Sequence, residues 1–233
     1  MSKAPPLSLG LREIPHVLHL WTSPFRKARK PVGGAAQIAG QPLIVVPGLV
    51  SGDRTTSLMR RSFDAAGFRT YGSTFRLLTG VTPERMARSE ARLAEVVEQE
   101  GRKTVLVGWS LGGLISRVLA QRHPDKVAMV VTLGTPFSGD RRANNAWRLY
   151  HLLNDHTVDA PSVSDDISVK PPVHTVAIWS PIDGVIAPEC ARGQDGERDV
   201  AVEMRARHLA FGAQPKAIEQ IVAIVSEQLA NID

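Results

Sequence analysis

A serine flanked by glycines lies where an apolar run meets an amphipathic segment. Residues 108–112 read Gly-Trp-Ser-Leu-Gly, the spacing G-x-S-x-G, and they follow the apolar residues 105–107. A sharp turn from strand to helix would hold Ser110 in a strained backbone conformation, with its hydroxyl projecting above a sheet. The glycines prevent a collision between strand and helix, and a helix N-terminus favours developing negative charge. The pattern therefore predicts that Ser110 is a nucleophile.

The segments around Ser110 alternate between apolar runs and amphipathic helices. Strands are predicted at residues 43–47, 68–75, 104–109, 127–133, 173–179 and 199–204. Helices are predicted at residues 54–66, 83–100, 111–121 and 214–230, from apolar spacing and from glycine or proline at several of their ends. This alternation indicates one α/β domain, with a mostly parallel sheet of about six strands covered by helices on both faces. Sites in such sheets form at the carboxyl ends of the strands, where Ser110 lies.

Three segments with apolar residues and glycine at fixed positions carry a family resemblance. They are residues 105–114 (Val-Leu-Val-Gly-Trp-Ser-Leu-Gly-Gly-Leu), 133–139 (Leu-Gly-Thr-Pro-Phe-Ser-Gly) and 44–48 (Ile-Val-Val-Pro-Gly). The first resembles the nucleophile elbow of the α/β-hydrolase superfamily, on its lipase and esterase side. The second resembles a segment of many bacterial lipases, which usually carry His in place of Phe137, and the third looks like the family's oxyanion-loop strand. The resemblance extends over about residues 43–230 and implies a compact, single-domain α/β-hydrolase.

The resemblance implies a catalytic histidine late in the chain. In this family the order along the chain is Ser, then Asp or Glu, then His. His208 follows the last predicted strand and is the only histidine after Asp183. Its surroundings, Arg-His-Leu-Ala-Phe, resemble the family's catalytic-histidine loop. The other histidines after Ser110 fit less well, because they lie in a turn, in a polar stretch or at the opening of a strand: His123, His151, His156 and His174.

The family also implies an acid after the penultimate strand, often followed by glycine and an apolar residue. Asp183, in the sequence Asp-Gly-Val, fits this description. Asp195 and Asp199 compete with it from further along the chain, and Asp195 resembles an ordinary turn residue before glycine. The resemblance thus implies a catalytic set of Ser110, Asp183 and His208.

The chemistry expected of this set is acyl transfer through a covalent intermediate. The backbone N–H groups of Leu111 and Leu49 are expected to bind the oxyanion. Such a reaction needs no metal and no organic cofactor, and the sequence has no ligand cluster with metal-binding spacing. The single cysteine, Cys190, lies outside any elbow and is interpreted as a packed residue.

The loops near Ser110 are mostly apolar and predict a pocket for a hydrophobic ester. The residues expected to line it are Gly48, Val50, Trp109, Phe137, Ile182 and Val185. Residues 139–172, called the insert below, occupy the place where this superfamily carries its lid. They mix Trp, Tyr and Leu with Asp and Asn, which predicts a short amphipathic helix over the site.

The net charge of +5 is confined to residues 1–42, called the N-terminal segment below. The segment contains one acid, Glu13, and six basic residues, whereas residues 43–233 have no net charge. The basic residues are Lys3, Arg12, Arg26, Lys27, Arg29 and Lys30. A neutral body argues against nucleic-acid binding as the main function. We expect the segment to be a strap packed on the domain of residues 43–233. The alternative is a helix lying on a membrane surface, with Leu18, Leu20, Trp21 and Phe25 inserted.

Two further interpretations remain open at this stage. The same catalytic set could serve a transacylase, a thioesterase or an amidase. The chain could also be a ligand-binding homologue without catalysis, since a fold does not fix a function. No secretory signal or membrane span is apparent in the sequence, so the expected compartment is the cytoplasm.

Overall fold

The computed structural model describes residues 3–28 and 38–232. Its centre is a six-stranded sheet in the order β2-β1-β3-β4-β5-β6, and every neighbouring pair of strands is parallel. The strands are β1 (Pro42–Val46), β2 (Arg69–Gly72), β3 (Thr104–Trp109), β4 (Val127–Leu133), β5 (His174–Trp179) and β6 (Val200–Glu203). The predicted α/β class, with a parallel sheet of about six strands, is confirmed.

Helices surround this sheet and precede its first strand. They are α1 (Leu7–Leu11), α2 (Ile14–Thr22), α3 (Ser57–Ala65), α4 (Pro83–Glu100), α5 (Leu111–Arg122), α6 (Trp147–Leu153), α7 (Pro188–Arg192), α8 (His208–Ala213) and α9 (Pro215–Ala230). A short 3₁₀ helix, Ser23–Phe25, follows α2. The long helix α4 begins as predicted, since Thr82 accepts a hydrogen bond from the Arg85 N–H and proline occupies its first position.

Two apolar layers hold the helices on the sheet. On one face, α3, α8 and α9 pack against alternate strand residues such as Val45, Val107 and Val131. On the other face, α4 and α5 pack against the intervening residues, among them Ile44 and Leu106. Strands buried on both faces read as continuous apolar runs, and such runs predict β3 and β4 at the residues where the structure has them.

Two elements are shorter than predicted. The helix expected at residues 54–66 begins at Ser57, because the N–H groups of Thr55 and Thr56 donate to the Gly52 carbonyl in a turn. The strand expected at residues 68–75 ends at Gly72. The Asp53 carboxylate accepts the next two backbone N–H groups, those of Ser73 and Thr74, at 2.9 and 2.8 Å. Those groups are therefore unavailable for ladder hydrogen bonds.

The N-terminal segment contains helices α1 and α2, and α2 packs against α8. It also exposes large apolar side chains, including Leu18 and Phe25, while Leu20 is partly buried against the core. Arg29 and Lys30 lie outside the described residues. In residues 3–28 and 38–232, no helix combines the length and the hydropathy that crossing a bilayer requires.

Candidate active site

Ser110 occupies a strained turn between β3 and α5. Its backbone angles are φ 52° and ψ −118°, a conformation that costs a non-glycine residue about 1–3 kcal/mol. The neighbouring glycines are required by close approach. A Cβ on Gly108 would lie 2.5 Å from the Gly112 carbonyl oxygen, and one on Gly112 would collide with the Val46 carbonyl. The turn therefore tolerates no side chain two residues before or two residues after the serine.

A buried histidine and aspartate face the same end of the sheet. Asp183 lies in the turn after β5, and His208 is the first residue of α8, shortly after β6. His208 Nδ1 is 2.8 Å from Asp183 Oδ2, and the two residues are 3% and 1% exposed. The other Asp183 oxygen accepts the N–H groups of Val185 and Ile186, at 2.7 and 2.8 Å. The carboxylate is thus fixed by its own turn while it orients the imidazole.

The pKa of His208 reflects two opposing influences. Burial lowers the pKa, but the charge of Asp183, its hydrogen bond and the charge of Glu13 together raise it above the ordinary value for histidine. An imidazole with a raised pKa accepts a proton more readily, as a general base must. The hydrogen bond from Nδ1 to Asp183 leaves Nε2 as the nitrogen free to accept that proton.

Ser110 and His208 line a common cavity, called the N-terminal cavity below. Its wall includes Val17 and Leu20 of α2, Val50, Leu77 and Leu149. The Ser110 hydroxyl makes no hydrogen bond to the His208 ring in this structure. Catalytic hydrogen bonds of this kind are often long without substrate and tighten only in the reactive complex.

A second cavity, called the insert cavity below, meets the first at Ser110. It lies between α5 and the insert, and it is lined mainly by apolar groups that include Leu111, Leu114, Trp147 and Tyr150. His208 does not line it. The serine therefore stands between a cavity that contains the imidazole and a largely apolar cavity that does not.

The N–H groups expected to bind the oxyanion lie beside Ser110. Leu111 is the first residue of α5, and its N–H belongs to the unpaired donors of a helix start. Leu49 lines both cavities. Neither N–H donates to an acceptor within the described part of the chain. Gly48 is also close, since a Cβ placed on it would lie 3.4 Å from the Ser110 Cβ.

The residues expected to form the pocket divide into two groups. Val50, Trp109 and Val185 line the N-terminal cavity together with Ser110. The structure brings neither Phe137 nor Ile182 to either cavity. Phe137 is buried beneath the Arg117 guanidinium, 4.1 Å from its ring centroid, so it belongs to the core behind the elbow. The Ile182 carbonyl accepts a hydrogen bond from Arg207.

The competing residues have other partners or positions. Asp199 pairs with Lys170 and accepts the Thr175 N–H, and Asp195 is an exposed partner of Arg198. Cys190 is buried in α7. Within residues 3–28 and 38–232, no three His, Cys, Asp or Glu side chains are arranged to hold a metal ion.

One residue in contact with the site was missed by sequence reasoning. Glu13, between α1 and α2, is 5% exposed, and its carboxylate contacts the backbone of Gly184, His208 and Leu209. The only available signal was that Glu13 is the one acid of a basic segment. Composition alone gives no indication of where such an acid points.

Comparison with known proteins agrees with this architecture. A family model for the alpha/beta hydrolase fold matches residues 71–166, which include the Ser110 turn. Together with the six-stranded parallel sheet, this match supports an α/β-hydrolase fold, and the fold resembles those of known esterases and lipases.

Particular relatives extend the comparison. The chain is 42% identical over 67 residues to a pimeloyl-[acyl-carrier protein] methyl ester esterase of Aromatoleum aromaticum, a match covering 29% of this chain and 27% of that protein. The match thus spans about a quarter of that relative's length. A monoacylglycerol lipase of Paleococcus ferrophilus shares the fold with a TM-score of 0.59 and 18% identity, over 82% of this chain and 96% of that one. For naproxen esterase of Bacillus subtilis the TM-score is 0.56 and the identity 16%, over 93% and 98% of the two chains.

Proposed function

We propose that this protein is a serine hydrolase that cleaves carboxylic esters through an acyl-enzyme on Ser110. One observation carries the proposal: the strained Ser110 lines the same cavity as the buried His208, whose ring nitrogen is 2.8 Å from the Asp183 carboxylate. The names of the relatives, a methyl ester esterase, a monoacylglycerol lipase and a carboxylesterase, support the ester class.

The proposed reaction has two halves. His208 Nε2 takes the proton of the Ser110 hydroxyl as its oxygen attacks the ester carbonyl, and Asp183 stabilises the imidazolium that forms. The N–H groups of Leu49 and Leu111 bind the oxyanion, each contributing roughly 10²–10³ in rate. His208 then protonates the leaving alcohol. Water, activated by the same imidazole, releases the acid and restores Ser110.

The two cavities suggest where the alcohol and the acyl group of the ester bind. The leaving alcohol must lie next to His208, because that residue donates its proton, and His208 lines the N-terminal cavity only. The acyl group is therefore assigned to the insert cavity. The wall of that cavity is mostly apolar, with Trp147, Tyr150 and Leu114 among its residues, so a hydrophobic acyl group fits it best.

The test is hydrolysis of p-nitrophenyl esters of rising acyl length by wild type and Ser110→Ala. We expect the variant to lose at least about 10³-fold in kcat, as triad members do generally. Ser116→Ala is the matched control. Ser116 is a buried serine of α5, the helix that follows Ser110. Its hydroxyl donates to the Gly112 carbonyl, and alanine suits a helix interior.

A fluorophosphonate probe gives an independent readout of the nucleophile. Mass spectrometry should place the adduct on Ser110 in wild type and in Ser116→Ala, and it should find none in Ser110→Ala. Equal ester hydrolysis by wild type and Ser110→Ala would overturn the proposal. Product analysis with added alcohols, thioesters and amides separates the hydrolase from the transacylase, thioesterase and amidase interpretations.

A further inference from the structure

A single buried carboxylate joins the two loops that carry the proposed acid and base. Glu13 Oε1 accepts the N–H groups of Gly184 and His208, at 3.0 and 2.8 Å, and Oε2 accepts that of Leu209 at 3.0 Å. Gly184 directly follows Asp183, and His208 and Leu209 open α8. Glu13 itself comes from the N-terminal segment, which is remote in sequence from both loops.

We propose that Glu13 is a positioning residue that fixes Asp183 and His208 relative to each other and to Ser110. The proposal rests on the ester hydrolase function proposed above. Hydrogen bonds from N–H groups to a carboxylate are about twice as strong as neutral ones, and here three of them converge on one side chain. Without the carboxylate, the first two N–H groups of α8 would lose their acceptor, and leaving such donors unpaired away from water is unfavourable.

The surrounding contacts leave Glu13 little freedom. A Cβ on Gly184 would collide with the Leu9 carbonyl and lie 3.0 Å from Glu13 Cγ, so the segment and the acid loop are in direct contact. The Asn145 side chain adds a second connection, since its Nδ2 donates to the carbonyls of Pro5 and Gly184, at 3.0 and 2.9 Å. The N-terminal segment therefore completes the wall of the site and sets the backbone from which His208 projects.

The carboxylate also acts on the imidazole through its charge. Asp183 and Glu13 are the two charged groups that raise the pKa of His208 against its burial, whereas the neighbouring Arg207 guanidinium is directed to the Ile182 carbonyl. Glu13→Gln preserves the size of the side chain, removes the charge and turns an amide NH₂ group toward N–H donors. Glu13→Asp keeps the charge but shortens the reach to the three amides.

The first measurement is an NMR titration of the His208 ring, which requires no substrate. We expect the pKa of His208 to be lower in Glu13→Gln than in wild type and to move less in Glu13→Asp. The control is Asp64→Asn, which removes another carboxylate that accepts a backbone N–H. Asp64 lies in α3 and accepts the N–H of Thr70 in β2. That control should leave the His208 titration unchanged. Because no ester is involved, this result stands even if the proposed hydrolase activity fails.

The second measurement is ester hydrolysis. Misplacing a catalytic group by about 1 Å costs up to about 10²-fold, so we expect kcat to fall roughly tenfold in Glu13→Gln and further in Glu13→Ala. KM should change little, because Glu13 lines neither cavity. The acid limb of the kcat/KM profile should move to lower pH in Glu13→Gln, since a lower pKa leaves His208 neutral at lower pH.

Near-ultraviolet circular dichroism at a temperature below unfolding ensures that each variant is compared in its folded state. A lower melting temperature of Glu13→Gln, with both the His208 titration and kcat unchanged, would reduce Glu13 to a structural contact and overturn the proposal. A wild type that hydrolyses no ester, but whose His208 still responds to Glu13→Gln, would refute the hydrolase function and leave the positioning role supported.

Discussion

The N-terminal segment and the insert both border the cavities at Ser110, but they are held by opposite chemistry. The N-terminal segment presents a carboxylate, Glu13, to backbone N–H groups of the loops that carry Asp183 and His208. The insert presents backbone carbonyls to a buried cation, Arg117 of α5, which donates to Ile167, Ser168 and Val169.

This difference separates two kinds of influence on the site. A change in the N-terminal segment acts on the backbone of the base, so it should appear mainly in kcat. A change in the insert acts on the wall of the insert cavity or on the helix behind the nucleophile. It should therefore appear in stability and in the binding of the acyl group.

The largest effect on stability is expected from Arg117→Met. Arg117 is fully buried, and burial lowers its pKa to about 10, against the charges of Glu197 and Asp166. Its guanidinium therefore remains charged at neutral pH while it satisfies the insert carbonyls and that of Glu197. Removing it takes this donor from the partly buried carbonyls of Ile167, Ser168 and Glu197 and empties the buried site of a large side chain, and we expect the free energy of unfolding to fall by about 3 kcal/mol or more in urea denaturation.

The matched control for Arg117 is Arg122→Met. Arg122 lies on the same helix and also pairs with the insert, through Asp165, but its side chain is 36% exposed. Exposed ion pairs contribute about 0–1 kcal/mol, so the free energy of unfolding should change little. Equal losses in the two variants would show that the insert is held by surface charges and would remove the contrast between its anchor and that of the N-terminal segment.

A smaller effect, on the preference for acyl length, is expected from Trp147→Ala, which removes an apolar side chain from the wall of the insert cavity. Trp147 lines that cavity, whereas Leu152 of the same helix is 81% exposed and lines neither cavity. We expect the preference for long over short p-nitrophenyl esters, measured as a ratio of kcat/KM values, to fall about tenfold in Trp147→Ala. Leu152→Ala should leave the ratio unchanged. An unchanged ratio in Trp147→Ala would contradict the assignment of the acyl group to this cavity.

The same contrast explains which features could be predicted from the sequence. The Ser110 turn could be predicted from five residues, because the close approach of β3, α5 and β1 at this turn requires glycine at positions 108 and 112. The sheet could be predicted because strands buried on both faces, such as β3 and β4, are continuous apolar runs. The family order supplied the candidates Asp183 and His208, which the structure brings within hydrogen-bonding distance.

The rest depends on contacts that no local pattern records. Glu13 and Gly184 are 171 positions apart, and a lone acid in a basic segment gives no indication of its acceptor role. The helix α8 was missed because it is short, and its first N–H groups are paired with Glu13 and not with a local cap. The loop after β4 predicts Phe137 at the pocket, yet its ring is buried in the core under the Arg117 guanidinium.

The smallest expected effect concerns the outer surface of the N-terminal segment. Large apolar side chains are exposed there, among them Leu7, Leu18 and Phe25, near the basic residues Arg12 and Lys27. An apolar surface with basic neighbours favours an anionic lipid interface, although a stretch this short anchors weakly. We predict weak sedimentation with vesicles that contain phosphatidylglycerol, and less with phosphatidylcholine alone.

The double change Leu18→Asp and Phe25→Asp should abolish this sedimentation while leaving hydrolysis of a short ester unchanged. The control is Val169→Asp, which places an acid on an exposed apolar side chain of the insert. Equal loss with both variants would mean that any added negative charge prevents vesicle binding. The N-terminal segment would then not be the membrane-binding surface. Equal binding to both lipids would leave the basic residues without a role. If only the double change prevents binding, then one segment positions the base through Glu13 on its inner side and contacts lipid on its outer side.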